Sequence, residues 1–132
     1  MNYLKLEYDE LNIKSRWLDL DRAKNAYNFA LQFSHSQRYG LNETTVLGIE
    51  KLIIESPAVA KAWLKSRMPE TGTVQIVYDD DEVCVIDTQD FIDRWHDIFI
   101  AGRDDAIVLH NLSRTVLFYC HEEELEIGQR IT

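Results

Sequence analysis

The spacing of apolar residues changes once along this chain, near Pro69, and that change limits the fold more than any other feature. Before it, apolar residues recur at three- and four-residue steps; after it, they alternate or form short β-branched runs. The first period lines one stripe of a helix and the second lines one face of a strand. From Asp19 or Asp21, either a suitable N-cap, the residues Ala23, Ala26, Tyr27, Ala30 and Leu31 make one helical stripe that Gly40 ends. Asn42 or Thr44 is read as the cap of a second helix containing Val46, Leu47, Ile49, Ile53 and Ile54. Ser56-Pro57 supplies an N-cap and a proline at the first helical position. The third helix that follows is expected to turn Val59, Ala62 and Trp63 inward, with Lys61, Lys65 and Arg67 in water and suited to its C-terminal dipole.

Beyond Pro69 the pattern predicts strands over Thr73–Tyr78 and Val83–Ile86, joined by a turn at Asp79-Asp80-Asp81-Glu82. Asp87 or Thr88 caps a short helix with Phe91, Ile92, Trp95, Ile98 and Phe99 on its inner face. Ala106–His110 and Thr115–Cys120 are two more strands, and Leu125–Gln129 is read as a last, edge strand. The expected fold is α+β, a single domain over 1–132. Its mainly helical N-terminal half (1–70) packs on an antiparallel sheet of about four to five strands with one inserted helix (71–132). A chain of 132 residues has room for one such core.

Charge divides at the same place. Residues 1–70 carry ten Lys/Arg and nine Asp/Glu, whereas 71–132 carry four Arg, no Lys and fourteen Asp/Glu, and the whole chain is at −9. An acidic surface argues against nucleic acid, whose phosphates need a basic footprint, and against anionic membranes. It suits a cationic partner. No apolar run is long enough to span a bilayer. Met1–Glu10 carries Lys5, Glu7, Asp9 and Glu10 with no apolar stretch behind it, unlike a secretory signal. The expected location is the cytoplasm, with Cys84 and Cys120 reduced.

Complete catalytic motifs are missing: there is no phosphate-binding G-x-x-x-x-G-K-[ST], no G-x-G-x-x-G, no G-x-S-x-G and no H-E-x-x-H. No cofactor, metal or catalytic residue is assigned. The acidic run 79–82 lacks the spacing of a calcium loop and reads as a solvated hairpin tip. Cys84 and Cys120 sit among Val, Ile, Leu and Phe and read as core residues. Cys120 and His121 are adjacent, so on a continuous strand they point to opposite faces. The carboxylates Glu122, Glu123 and Glu124 beside Cys120 would raise a thiol pKa rather than activate it. Arg103-Asp104-Asp105 follows Gly102 in a helix-to-strand connection, a place where recognition residues are common. Phe118 and Tyr119 occupy opposite faces of one strand, and an aromatic that reached the surface beside carboxylates would make a binding hot spot.

From Asp90 to Arg130 the order D-F-I-D-R-W, R-D-D-A-I-V-L and L-F-Y-C-H-E-E-E-L-E-I-G-Q-R resembles the C-terminal part of bacterial immunity proteins of polymorphic-toxin and contact-dependent growth-inhibition systems. The resemblance covers roughly a third of the chain. It implies a cytoplasmic, non-enzymatic inhibitor of one cognate toxin domain, often a basic nuclease. The residues expected to meet it are Asp79, Asp80, Asp81, Glu82, Asp104, Asp105, Glu122, Glu123, Glu124 and Glu126. Two alternatives stay open. One is a small metal- or thiol-dependent hydrolase using Cys120, His121 and nearby carboxylates; the other is a structural or regulatory adaptor docking through its acidic half.

Overall fold

The computed structural model describes residues 2–132. In chain order its elements are α1 (Tyr3–Glu10), β1 (Ser15–Trp17), α2 (Leu20–Leu31), β2 (Val46–Ile53), α3 (Pro57–Arg67), β3 (Thr73–Asp79), β4 (Glu82–Asp87), α4 (Thr88–Ile98), β5 (Ala106–His110), β6 (Thr115–Cys120) and β7 (Glu124–Arg130). The strands form one antiparallel sheet in the order β1-β4-β3-β5-β6-β7-β2. The fold is α+β, but the expected helical half on a sheet of four to five strands is incorrect. The sheet has seven strands, and residues 1–70 supply both of its edges.

Local chemistry decides where each element begins. Asp19, Ser56 and Asp87 each turn a side-chain oxygen onto a backbone N–H of the first turn and open α2, α3 and α4 as expected. Asn2 does the same for α1, whose N–H at Lys5 donates to its Oδ1 at 3.1 Å. Residues 46–53, read as a helix, are strand β2. A one-residue bulge shifts its register against β7 between Leu47 and Glu50, with Gly48 in the left-handed region at φ 63°. The bulge turns Val46 and Ile49 toward one core and Leu52 toward the other. Apolar residues therefore recur at three-residue steps that imitate a helix. In α3 the inward row is Ala60 and Leu64, one step on from the expected one. Val59 is exposed, and half-buried Trp63 lies under the Arg67 guanidinium, 4.7 Å from its ring. β7, read as an edge, lies between β6 and β2.

Both faces of the sheet are covered. Tyr8 of α1, Leu64 of α3 and Phe91, Ile92, Trp95 and Ile98 of α4 pack on one face, against Ile76, Val108, Leu117, Leu125 and Ile127. Ala23 and Ala30 of α2, with Phe33 and Leu41 from the segment after it, pack on the other, against Val83, Ile107, Leu109, Val116 and Phe118. The central strands β5 and β6 are buried at every position, which is why they read as continuous apolar runs. Among the described residues no helix is long and apolar enough to cross a membrane.

One buried charge ties the α2 layer to the sheet. Glu126, on β7, is 4% exposed. Its carboxylate accepts the Leu41 N–H at 2.9 Å and an Arg38 guanidinium N–H at 2.8 Å. A Cβ at Gly40 would overlap both the guanidinium and the carboxylate, so any other residue there must displace one of these two side chains. Glu126→Ala leaves the Leu41 N–H without an acceptor, and a loss of about 1–3 kcal/mol in urea unfolding is expected. Gly40→Ala disturbs the same pair, so the double variant should lose less than the sum of the two single ones.

Candidate functional site

The antiparallel path returns three acidic segments to one end of the sheet. The last paired residues of β3 and β5 are Val77 and Ile107, those of β5 and β6 include Ala106 and Tyr119, and Cys120 faces Glu124 across β6 and β7. The β3–β4 turn (79–82), the entry to β5 (104–105) and the β6–β7 turn (121–124) therefore lie side by side. Of the four arginines in 71–132, Arg114 and Arg130 sit at the opposite end, where the Arg130 N–H donates to the Arg114 carbonyl. Asp87, paired with Thr73, lies at that end too, so it is mixed in charge, whereas the three segments hold nine of the fourteen carboxylates of 71–132.

Each turn is built by its own residues. In the first, the Asp80 N–H donates to the Asp79 carboxylate at 2.8 Å. In the last, Glu123 takes φ 62° and its N–H closes on the Cys120 carbonyl at 2.9 Å. Between them Asp104, 6% exposed, accepts the Ile100 N–H at 2.8 Å and two guanidinium bonds from Arg103 at 2.9 and 3.0 Å. The same guanidinium donates twice to Glu7 of α1, at 2.8 and 2.9 Å. Glu7 first, and Asp104 after it, hold Arg103 above its ordinary pKa.

The expected site residues therefore separate into two groups. Asp79, Asp80, Asp81, Glu122 and Glu123 are exposed, and Glu82, Asp105 and Glu124 are partly so. Burial, with Asp81 and Asp79 adding, raises the Glu82 carboxyl above its usual range. Glu124 pairs with Lys51 at 3.1 Å. Asp104 and Glu126 are taken up inside the fold, the first by Arg103 and the second by Arg38 and Leu41. Two hollows open at this end. One, of about 400 Å³, is lined by Tyr3, Glu7, Tyr78, Asp79, Glu82 and Asp104. The other, of about 420 Å³, runs under the segment after α2 and is lined by Tyr27, His35, Tyr39, Val77, Asp105 and Phe118.

Exposed aromatics flank the carboxylates, but not those the sequence suggested. Phe118 and Tyr119 are both buried, 6% and 2% exposed. Tyr3 on α1 and Tyr39 in the loop after α2 are the ones in solvent, at 71% and 56%. Tyr3 lies in a helix too short for its period to stand out, and Tyr39 in a segment without periodicity, so neither carries a sequence signal.

The two thiols lie on opposite faces of the sheet. Cys84 is in the α4-side core, where burial pushes its thiol up to about 12. Cys120 faces the α2 side, and burial first, then Asp105, Glu122 and Glu124, raises its thiol as the acidic neighbours predict. The expectation that Cys120 and His121 point apart is corrected. The strand ends at Cys120, and the turn brings the His121 ring back to Asp105, whose Oδ1 accepts the His121 N–H at 2.9 Å and pairs with its Nδ1 at 2.8 Å. Tyr39 packs edge-on against that ring, 4.8 Å between centroids. His110 lies at the far end of β5, held by Ser113 Oγ and the Thr71 carbonyl. No protein-family model, curated protein or solved structure matches the chain.

The Asp105 hydrogen bond, followed by the charges of Asp105 and Glu122, raises the His121 pKa. The pair's contribution to stability is therefore complete below an unfolded value of about 6.5 and is lost as pH rises through the folded value. By proton NMR, His121 is expected to titrate above the histidines of the urea-unfolded chain, and Asp105→Asn should bring its midpoint down.

Proposed function

We propose that this chain is a non-enzymatic immunity protein that binds a cognate, basic toxin domain of the nuclease class through the acidic end of its sheet, in the cytoplasm of the cell it protects. The observation that carries this reading is the convergence of 79–82, 104–105 and 122–124, far apart in sequence, at one strand end. The concentration of carboxylates at this end leaves a field that orients an incoming cationic surface and speeds encounter. The carboxylates there would occupy the place of substrate phosphates in a nuclease cleft. Tyr3 and Tyr39 beside them supply rigid apolar area, the kind of residue that holds a complex once formed. The likeness of Asp90–Arg130 to immunity proteins points the same way. Nucleic acid and anionic lipid are disfavoured partners for the same electrostatic reason.

The test is stopped-flow association with the basic toxin domain encoded beside this chain, at low and high salt. Association should slow as salt rises. The exposed triple variant Asp80→Lys, Asp81→Lys, Glu122→Lys should slow it about tenfold or more at low salt. Tyr39→Ala should instead speed dissociation, by about tenfold or more if Tyr39 is an anchor. An association rate indifferent to both salt and charge reversal would remove the acidic end as the binding surface.

A further inference from the structure

Asp105 precedes Ala106, whose partner across β5 and β6 is Tyr119, and Cys120 follows Tyr119 on the α2 side of the sheet. The turn after Cys120 adds His121, so that a carboxylate oxygen of Asp105, Sγ of Cys120 and a ring nitrogen of His121 all lie within 4.8 Å of one another. In a tetrahedral zinc site, bonds of about 2.0–2.3 Å put ligand atoms roughly 3.4–3.8 Å apart. Closing the observed cluster to that geometry needs movements of about 1 Å, within the reach of side-chain rotation.

We infer that Asp105, Cys120 and His121 bind one thiophilic divalent cation of the zinc class. A thiolate, an imidazole and a carboxylate form a donor set suited to zinc, and three protein ligands leave a fourth position for water or another group. Asp105 also lines the cleft under the segment after α2. The backbone is already committed to the arrangement: the His121 N–H is held by Asp105, and the Glu122 N–H donates to Cys120 Sγ at 3.4 Å. Tyr39 fixes the plane of the His121 ring from outside. The surrounding carboxylates raise the local concentration of any cation. Asp79, Asp80 and Asp81 also cluster, but they are fully exposed and offer only hard oxygen atoms. The metal site is separate from partner binding, which the charge-reversed carboxylates test without touching these ligands.

The experiment uses the full chain, stripped with chelator and titrated with Co²⁺ and with Zn²⁺. Expected are one equivalent bound, a thiolate-to-cobalt charge-transfer band, tetrahedral d–d absorption, and bleaching of both by Zn²⁺. Cys120→Ser should abolish the charge-transfer band. His121→Gln, at a partly exposed turn position that keeps the fold, should weaken binding at least tenfold. Cys84→Ser, on the other face, should leave both unchanged. Substoichiometric binding without the band would overturn the inference. So would a band that survives Cys120→Ser, or binding that His121→Gln leaves intact.

Discussion

The pairing of β5 with β6, buried on both faces, is the constraint from which the rest of the molecule follows. With every side chain in these strands covered, a one-residue slip would exchange the two cores, sending Ile107, Leu109, Val116 and Phe118 into the space of Val108, Leu117 and Tyr119. The register is thus fixed by packing on both sides. Once it is fixed, the antiparallel path of β3, β4 and β7 has no choice about which end receives each turn. The acidic end is a consequence of topology, and no residue in it needs to attract another for the segments to meet.

That independence matters because like charges repel. The fold offsets this locally, with cations brought from elsewhere in the chain. Arg103 bridges Glu7 and Asp104, Arg38 reaches Glu126, and Lys51 reaches Glu124. His121 partners Asp105. Among the described residues, what remains without a cationic partner is the exposed rim at Asp79, Asp80, Asp81 and Glu123, with Glu122 3.9 Å from the His121 ring. The carboxylates that build the structure and those available to a partner are therefore different residues, although they are neighbours in sequence.

Much of this was readable from residue spacing, and the failures have physical causes. Caps at Asp19, Ser56 and Asp87 announce their helices because the chemistry is local. The apolar runs of β5 and β6 announce buried strands. β2 was hidden because the bulge at Gly48 broke the two-residue period, and β1 because three residues cannot display a period at all. At the acidic end, the segments could be named from sequence but their meeting could not, since it depends on strand order. Nor could sequence spacing divide Asp104 from Asp105, or Glu126 from Glu124: one side chain in each pair turns inward to a partner up to 88 residues away. The approach of His121 to Cys120 is not legible in the sequence, because the turn after the strand end sets where the ring goes.

The bulge in β2 has an effect at the margin of the sheet. An outer strand presents unpaired N–H and C=O groups, a template on which another chain can add. β2 carries exposed Leu47 and Ile53 along that margin, and a straight strand of this length would invite such an addition. The kink at Gly48 throws the outward groups out of line halfway along, and on the other side β1 offers only three residues. One margin is short and the other interrupted, features that discourage the addition of an eighth strand beside the acidic end.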